Sequence, residues 1–164
     1  MANTRIDVAV LGATGTVGQK FITILDGHPL FRVVELVASE RSAGKQYRDA
    51  VTWKQPSAIP DSVAKLVVRG LDAHLDSHLL FSGLDSSVAG EAETAYAKAG
   101  HVVVSNSKNH RMDDDVPLII PEINPDHFEL TRIQPYPGRI ITNSNCSTMF
   151  LAMALAPLDR TFGV

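Results

Sequence analysis

The sequence carries a single cysteine, Cys146, among its 164 residues. One thiol excludes an internal disulfide framework and fits a reducing compartment. No apolar run approaches the roughly 20 residues that cross a bilayer, so no membrane partner is expected. A net charge of -3 gives no general attraction to nucleic acid or anionic lipid. The N-terminal M-A-N-T-R-I-D-V-A-V-L-G runs almost at once into a strand pattern. It lacks the charged, apolar and cleavable regions of a signal peptide, and a cytoplasmic location is expected. Internal repeats, low-complexity tracts and long charge runs are also missing.

What is there is an alternation of short apolar runs with helical patterns. Hydrophobic residues make up 45% and charged residues 20%, enough for a soluble domain with a core. The periodicity predicts strands over 6–11, 33–38, 64–68 (a weaker one), 78–82, 101–105, 116–120 and 139–142. It predicts helices over 17–25, with Val17, Phe21, Ile24 and Leu25 on one face, over 86–99 with Gly100 as C-cap, and over 147–155. Residues 42–60 read as an irregular loop. Strands alternating with helices imply right-handed parallel crossovers. The expected class is therefore α/β, a Rossmann-like, doubly wound and mostly parallel sheet with helices on both faces.

Three features carry chemistry. The first is G-A-T-G-T-V-G, with Gly12, Gly15 and Gly18 where the first strand turns into the first helix. Glycines there let a pyrophosphate approach the backbone, and the helix N-terminus offers free N–H groups. Thr14 and Thr16 can add hydroxyls. The spacing departs from G-x-G-x-x-G, and a turn that merely needs positive φ is the alternative. The second is V-A-S-E-R-S after the second strand. An NAD site usually places an acid near that strand's end. Ser39, Arg41 and Ser42 instead form a receptor for a 2′-phosphate, which favours NADP. Glu40 would reverse that preference if it pointed into the pocket. The third is Cys146 itself, after the last strand and at the start of the last helix. A helix N-terminus stabilises a thiolate, the nucleophile of covalent aldehyde chemistry. Asn145 can hold a substrate oxygen through its amide. The residues alone leave a buried, inert cysteine equally open.

Together these features resemble aspartate-β-semialdehyde dehydrogenase, of the archaeal and fungal branch. The resembling segments are 11–19 (LGATGTVGQ), 38–45 (ASERSAGK), 109–124 (NHRMDDDVPLIIPEIN) and 143–148 (NSNCST). The resemblance implies an NADP-dependent reduction of β-aspartyl phosphate to aspartate semialdehyde through a cysteine thioester, in the pathway to lysine, threonine, methionine and isoleucine. Cys146 matches the nucleophile, Asn145 a substrate- and phosphate-contacting asparagine, and Arg111 a phosphate-binding arginine. Gly12, Thr14, Gly15, Thr16 and Val17 match the cofactor turn, and Ser39, Arg41 and Ser42 the rest of the NADP contacts. Ser82 and Gly83 match a loop near the nicotinamide. A fork of donors suits Arg111 to an anion, although Asp113 to Asp115 could pair with it instead. The aspartate run alone is no reason to expect a metal, and none is expected.

The resemblance further implies a small-molecule substrate, a homo-oligomeric full-length enzyme and members about twice this long. None of the six histidines falls in a segment expected at Cys146, and His110 is expected on a loop surface. The family's general base comes from a later domain. The expected division is a nucleotide-binding unit over 1–145, with 146–164 opening a second, catalytic unit. The chain would then carry the nucleophile without its base. Met149, Phe150, Met153 and Leu155 would leave an adhesive patch. Rival readings are another cysteine-dependent acyl reductase, acting on malonyl-CoA or N-acetyl-glutamyl phosphate, and a non-catalytic NADP-binding module.

Overall fold

The computed structural model describes residues 5–163. Seven strands form one parallel sheet: β1 (Ile6–Leu11), β2 (Phe31–Val37), β3 (Val68–Arg69), β4 (Leu79–Ser82), β5 (Val102–Ser105), β6 (Leu118–Ile119) and β7 (Arg139–Asn143). Their spatial order is β3-β2-β1-β4-β5-β7-β6. From β1 the chain winds outward through β2 and β3, then crosses to β4 and builds the other half. The winding therefore reverses between β1 and β4. In doubly wound sheets a ligand crevice opens at the carboxyl ends of the strands that flank such a reversal.

Side chains of β1 alternate between two cores, as the two-residue strand period demands. Val8 and Val10 pack with Leu36, Tyr47 and Val63, and with Ile22 and Leu25 of α1 (Thr16–Leu25). Ala9 and Leu11 face the other side, with Leu80, Val103 and Tyr96 of α4 (Ser86–Lys98). One helix thus covers each face of the central strands. α1 turns differently from the face expected of it: Gly18, Gln19, Ile22 and Leu25 are buried, while Ile24 is 58% exposed. The cause is Gly18. A Cβ there would run into the carbonyl of Gly12, so this residue must face the turn. Its neighbours one and two turns on then face the sheet.

Other boundaries also shift. The strand expected over 64–68 begins later and is shorter, a bridge at Val67 and then β3, and Ala64 instead closes a one-turn helix, α3 (Asp61–Ala64). The 42–60 loop contains another single turn, α2 (Tyr47–Ala50). A 3-10 helix, Pro125–Arg132, lies where no element is expected. The last helix, α5 (Cys146–Phe162), runs through Pro157 to a left-handed Gly163. It buries no residue, and Phe150 and Phe162 are 78% and 73% exposed. No described helix is long and apolar enough to cross a membrane.

Tyr47 anchors the first turn from below. Its ring is fully buried and its hydroxyl donates to the carbonyl of Ala13 at 2.7 Å. Tyr47→Phe leaves that carbonyl unpaired and should cost about 1–2 kcal/mol. Urea unfolding of the two chains measures the difference, and equal stability would show that the bond adds nothing.

Candidate functional site

The site lies along the carboxyl edge of the sheet, where β1 is followed by Gly12 and β4 by Gly83. Gly12 has φ 74°, and a Cβ on it would stand 2.6 Å from the carbonyl oxygen of Gly83. The strand ends therefore approach backbone to backbone. Gly15 caps α1 without any side-chain hydrogen bond. α4 and α5 are different, because Asp85 and Asn145 cap them through Ser87 N–H and Ser147 N–H. Of these three helices, α1 leaves its first-turn N–H groups to a ligand, at the end of the dipole that attracts an anion. Thr16 and Val17 sit exposed on this turn.

Next to it lies a polar cavity of about 380 Å³ lined by Thr14, Ser39, Arg41, Ser42, Ala50, Thr52 and Lys54. Four of the residues expected to bind nucleotide line it together: Thr14, Ser39, Arg41 and Ser42. Glu40 is exposed and does not line it. The carboxylate that would argue for NAD is thus outside the cavity, while two cations, Arg41 and Lys54, are on its wall.

Sequence reasoning missed Thr52 and Lys54, because they belong to the loop that carries no motif. Gln19 brings them in. It is fully buried at the base of α1. Its amide donates to the carbonyls of Thr14 at 2.9 Å and Thr52 at 3.1 Å, and accepts from Lys54 N–H at 2.8 Å. One side chain therefore fixes three residues of the wall. Gln19→Leu leaves three backbone groups unpaired. It should weaken NADP binding about tenfold, read by titration calorimetry on the folded variant.

Ser82 is fully buried, and its hydroxyl points inward to donate to Glu93 at 2.5 Å. Side-chain contact with a nicotinamide is thus not open to it, and only Gly83 of this expected pair borders the crevice. Ser105, at the end of β5, donates to the same Glu93 oxygen at 2.8 Å. Burial pushes the Glu93 carboxyl above its ordinary value, against the two serine donors and His110. A carboxyl raised on folding binds more protons folded than unfolded, so its contribution declines as pH rises. Relative to Glu93→Gln, the native chain should lose stability as pH climbs above about 4.5. Parallel denaturation curves at several pH values test this.

Beyond β5 the chain enters a loop at the same edge of the sheet. Arg111 donates through one terminal nitrogen to the carbonyl of Asn106 at 3.0 Å and to Asn143 Oδ1 at 3.4 Å. Asn143 also donates to Asn106 Oδ1 at 2.8 Å. Arg111 is therefore tied to the end of β7, three residues before Cys146. Its Nε is buried without a hydrogen-bond partner. Asp113 pairs instead with His110 Nδ1 at 2.7 Å. His110 is not on the surface as expected: its side chain is 13% exposed, wedged between Asp113, the Gly90 carbonyl and Glu93. Cys146 is exposed in the first turn of α5, and Asn145 Oδ1 is committed to the helix cap. The Asn145 amide nitrogen is the half that could still donate to a ligand. Among the described residues, no group of three or more His, Cys, Asp or Glu side chains is placed to hold a metal ion.

Residues 7–131 match the family described as semialdehyde dehydrogenase, NAD binding domain. The chain belongs to this family. The aspartate-semialdehyde dehydrogenase of Archaeoglobus fulgidus is 45% identical over 94% of this chain and 46% of that protein. That of Saccharomyces cerevisiae is 44% identical over 99% of this chain and 47% of its own length. The crystal structure of the Candida albicans enzyme with NADP superposes with a TM-score of 0.89, at 42% identity, over 98% of this chain and 48% of that one. The chain spans about half the length of the curated relatives it matches. As a semialdehyde dehydrogenase NAD-binding domain, it has the cradle a dinucleotide needs: an uncapped glycine turn, a polar cavity beside it, and Gly83 closing the other side.

Proposed function

We propose that this domain serves an NADP-dependent aspartate-semialdehyde dehydrogenase and supplies both its nucleotide site and its nucleophile, Cys146. The observation that carries the reading is a juxtaposition on one sheet edge. The open N-terminus of α1, the cavity with Arg41 and Lys54, and the Arg111–Asn143 tether just before Cys146 all lie at the carboxyl edge of the parallel sheet. The relatives are aspartate-semialdehyde dehydrogenases, and the Candida albicans enzyme crystallised with NADP, which supports this reading.

Each residue then has a part. Gly12, Gly15 and the first turn of α1 at Thr16 and Val17 receive the pyrophosphate. Ser39, Arg41 and Ser42 hold the 2′-phosphate. In the reductive direction the Cys146 thiolate attacks the acyl carbon of β-aspartyl phosphate. The bond from that carbon to the phosphate oxygen breaks, and phosphate leaves with the electron pair, neutralised by Arg111. Cys146 is left as a thioester. When bound, the reduced nicotinamide supplies hydride for the acyl carbon. Cys146 sulfur then departs with the pair of the carbon–sulfur bond, and the aldehyde is released. The amide nitrogen of Asn145 is placed to steady the acyl oxygen.

The base or acid such chemistry needs is not His110, whose nitrogens are both engaged, nor the buried His101, bonded to the Ser77 carbonyl. A base from outside these 164 residues is part of the proposal. So is the assignment of residues 146 onward to a second unit, which the absence of any buried residue on α5 supports.

The first test is NADPH formation from aspartate semialdehyde, phosphate and NADP. The 164-residue chain alone should bind NADP without turnover. Clear Cys146-dependent turnover would place the base within these residues and overturn that part of the reading. In an enzyme carrying the whole site, Cys146→Ser should lower kcat by about 10⁴-fold or more; an active variant would remove the thioester. Offering malonyl-CoA and N-acetyl-glutamyl phosphate as rival acyl donors to the same enzyme settles the substrate. Cofactor choice is read separately: Arg41→Ala should weaken NADP binding about tenfold or more and leave NAD binding almost unchanged.

A further inference from the structure

Glu93 is a fully buried carboxylate with no place in the chemistry above. It lies on α4, away from every motif in the sequence, yet three segments of the site converge on it. Its Oε1 accepts from Ser82 of β4 at 2.5 Å and from Ser105 of β5 at 2.8 Å. Its Oε2 has no hydrogen-bond partner and lies 3.9 Å from His110 Nε2. Each of the three partners adjoins a ligand-facing group. Ser82 precedes Gly83, whose carbonyl lies against Gly12. The hydroxyl of Ser105 accepts from Ser107 N–H at 3.0 Å, and Asn106 N–H donates to the Ser82 carbonyl at 2.9 Å, so the 106–111 loop is strapped to both strand ends. His110 precedes Arg111, which closes back on Asn106.

Burying a carboxyl with one oxygen unsatisfied is costly, and a core needing only packing would use an apolar side chain there. We propose that Glu93 is a positioning residue: it locks the nicotinamide-side strand end at Ser82–Gly83 and the Arg111 anion loop into one rigid piece. It touches neither ligand and acts through Ser82, Ser105 and His110. The inference rests on the proposed seating of nicotinamide at Gly83 and phosphate at Arg111.

The geometry separates local positioning from general stability. The cavity formed by Thr14, Ser39, Arg41, Ser42, Thr52 and Lys54 is held by Gln19 and lies on the other side of β1. A probe that reads only that cavity is thus an internal control. The experiment measures binding of 2′,5′-ADP, NADP and inorganic phosphate to the native chain, Glu93→Ala and Glu93→Gln, each at a temperature where the variant is folded by circular dichroism. Amide hydrogen exchange at Asn106 and Ser107 is followed in the same samples.

Glu93→Ala should bind 2′,5′-ADP within about twofold of native. It should bind phosphate about tenfold more weakly, lose the part of NADP affinity that exceeds that of 2′,5′-ADP, and exchange Asn106 and Ser107 faster. Glu93→Gln keeps an oxygen for both serines and should restore all three properties. Equal loss of all three ligands in Glu93→Ala would mean a merely structural residue and overturn the inference. So would native binding and native exchange in that variant. A native chain that binds 2′,5′-ADP but not phosphate would overturn the Arg111 assignment, and the inference with it. Normal binding by the native chain with no change in Glu93→Ala would overturn the inference alone.

Discussion

The site depends on one close approach. Gly12, at the end of β1, sits under the carbonyl of Gly83 and over the backbone of Gly18, with no room for a side chain at either contact. This brings β1, β4 and α1 together where the winding of the sheet reverses. Other features follow from it. α1 must point its Gly18 face at the turn, so Ile22 and Leu25 become core. The helix begins with no side-chain cap, so its N–H groups remain for a ligand. Gly83 closes the crevice opposite. A methyl group at Gly12 or Gly18 would push these elements apart before any ligand arrived.

Around that contact the fold uses buried polar side chains as joints. Tyr47 holds the turn by Ala13, Gln19 gathers the cavity wall, and Glu93 ties β4 to β5. Glu35 on β2 does the same farther out. Burial would raise its carboxyl, but donors from Ser77 and Asp76 and the Arg69 guanidinium outweigh that and hold it below its ordinary range. Each joint connects segments far apart in sequence. Loops that bind ligands cannot be fixed by apolar packing alone, since they lie at the sheet edge where the core ends. Directional bonds from just inside the core supply the missing constraint.

This division explains what could be read in advance. The alternation of strands and helices, the glycine turn and the Ser39–Arg41–Ser42 cluster are local patterns; the sheet follows the first as expected, and Ser39, Arg41 and Ser42 line one cavity. The joints are not local. Gln19 reads as one polar residue in an amphipathic helix, and Glu93 as a solvated charge in an alanine-rich one. Only tertiary contacts make them central. The missed helix face at Val17 and Ile24 has the same origin: hydrophobic period alone has no means of knowing that Gly18 must touch Gly12. His110 is expected on a loop surface, yet it lies against Glu93 and the Gly90 carbonyl. The last helix, expected over 147–155, continues through Pro157 to Phe162 with Gly163 as its cap.

The two ligand functions are anchored unequally, and that bears on how the domain works. The residues proposed to bind nucleotide sit at ends of β1, β2 and α1, each of which packs into the core. Cys146 sits at the start of a helix that buries nothing, although the residues behind it are apolar. Its position is set through Asn143, Arg111 and the Asn145 cap, and farther along α5 by Arg160, which donates to the Ile123 carbonyl at 2.8 Å. A nucleophile needs its attack angle held to a fraction of an ångström. On the proposed reading, nucleotide binding needs only these residues, whereas thiol chemistry at Cys146 would need something packed along α5. Phe150, Leu151 and Leu158, all exposed on that helix, are the apolar surface such packing would cover.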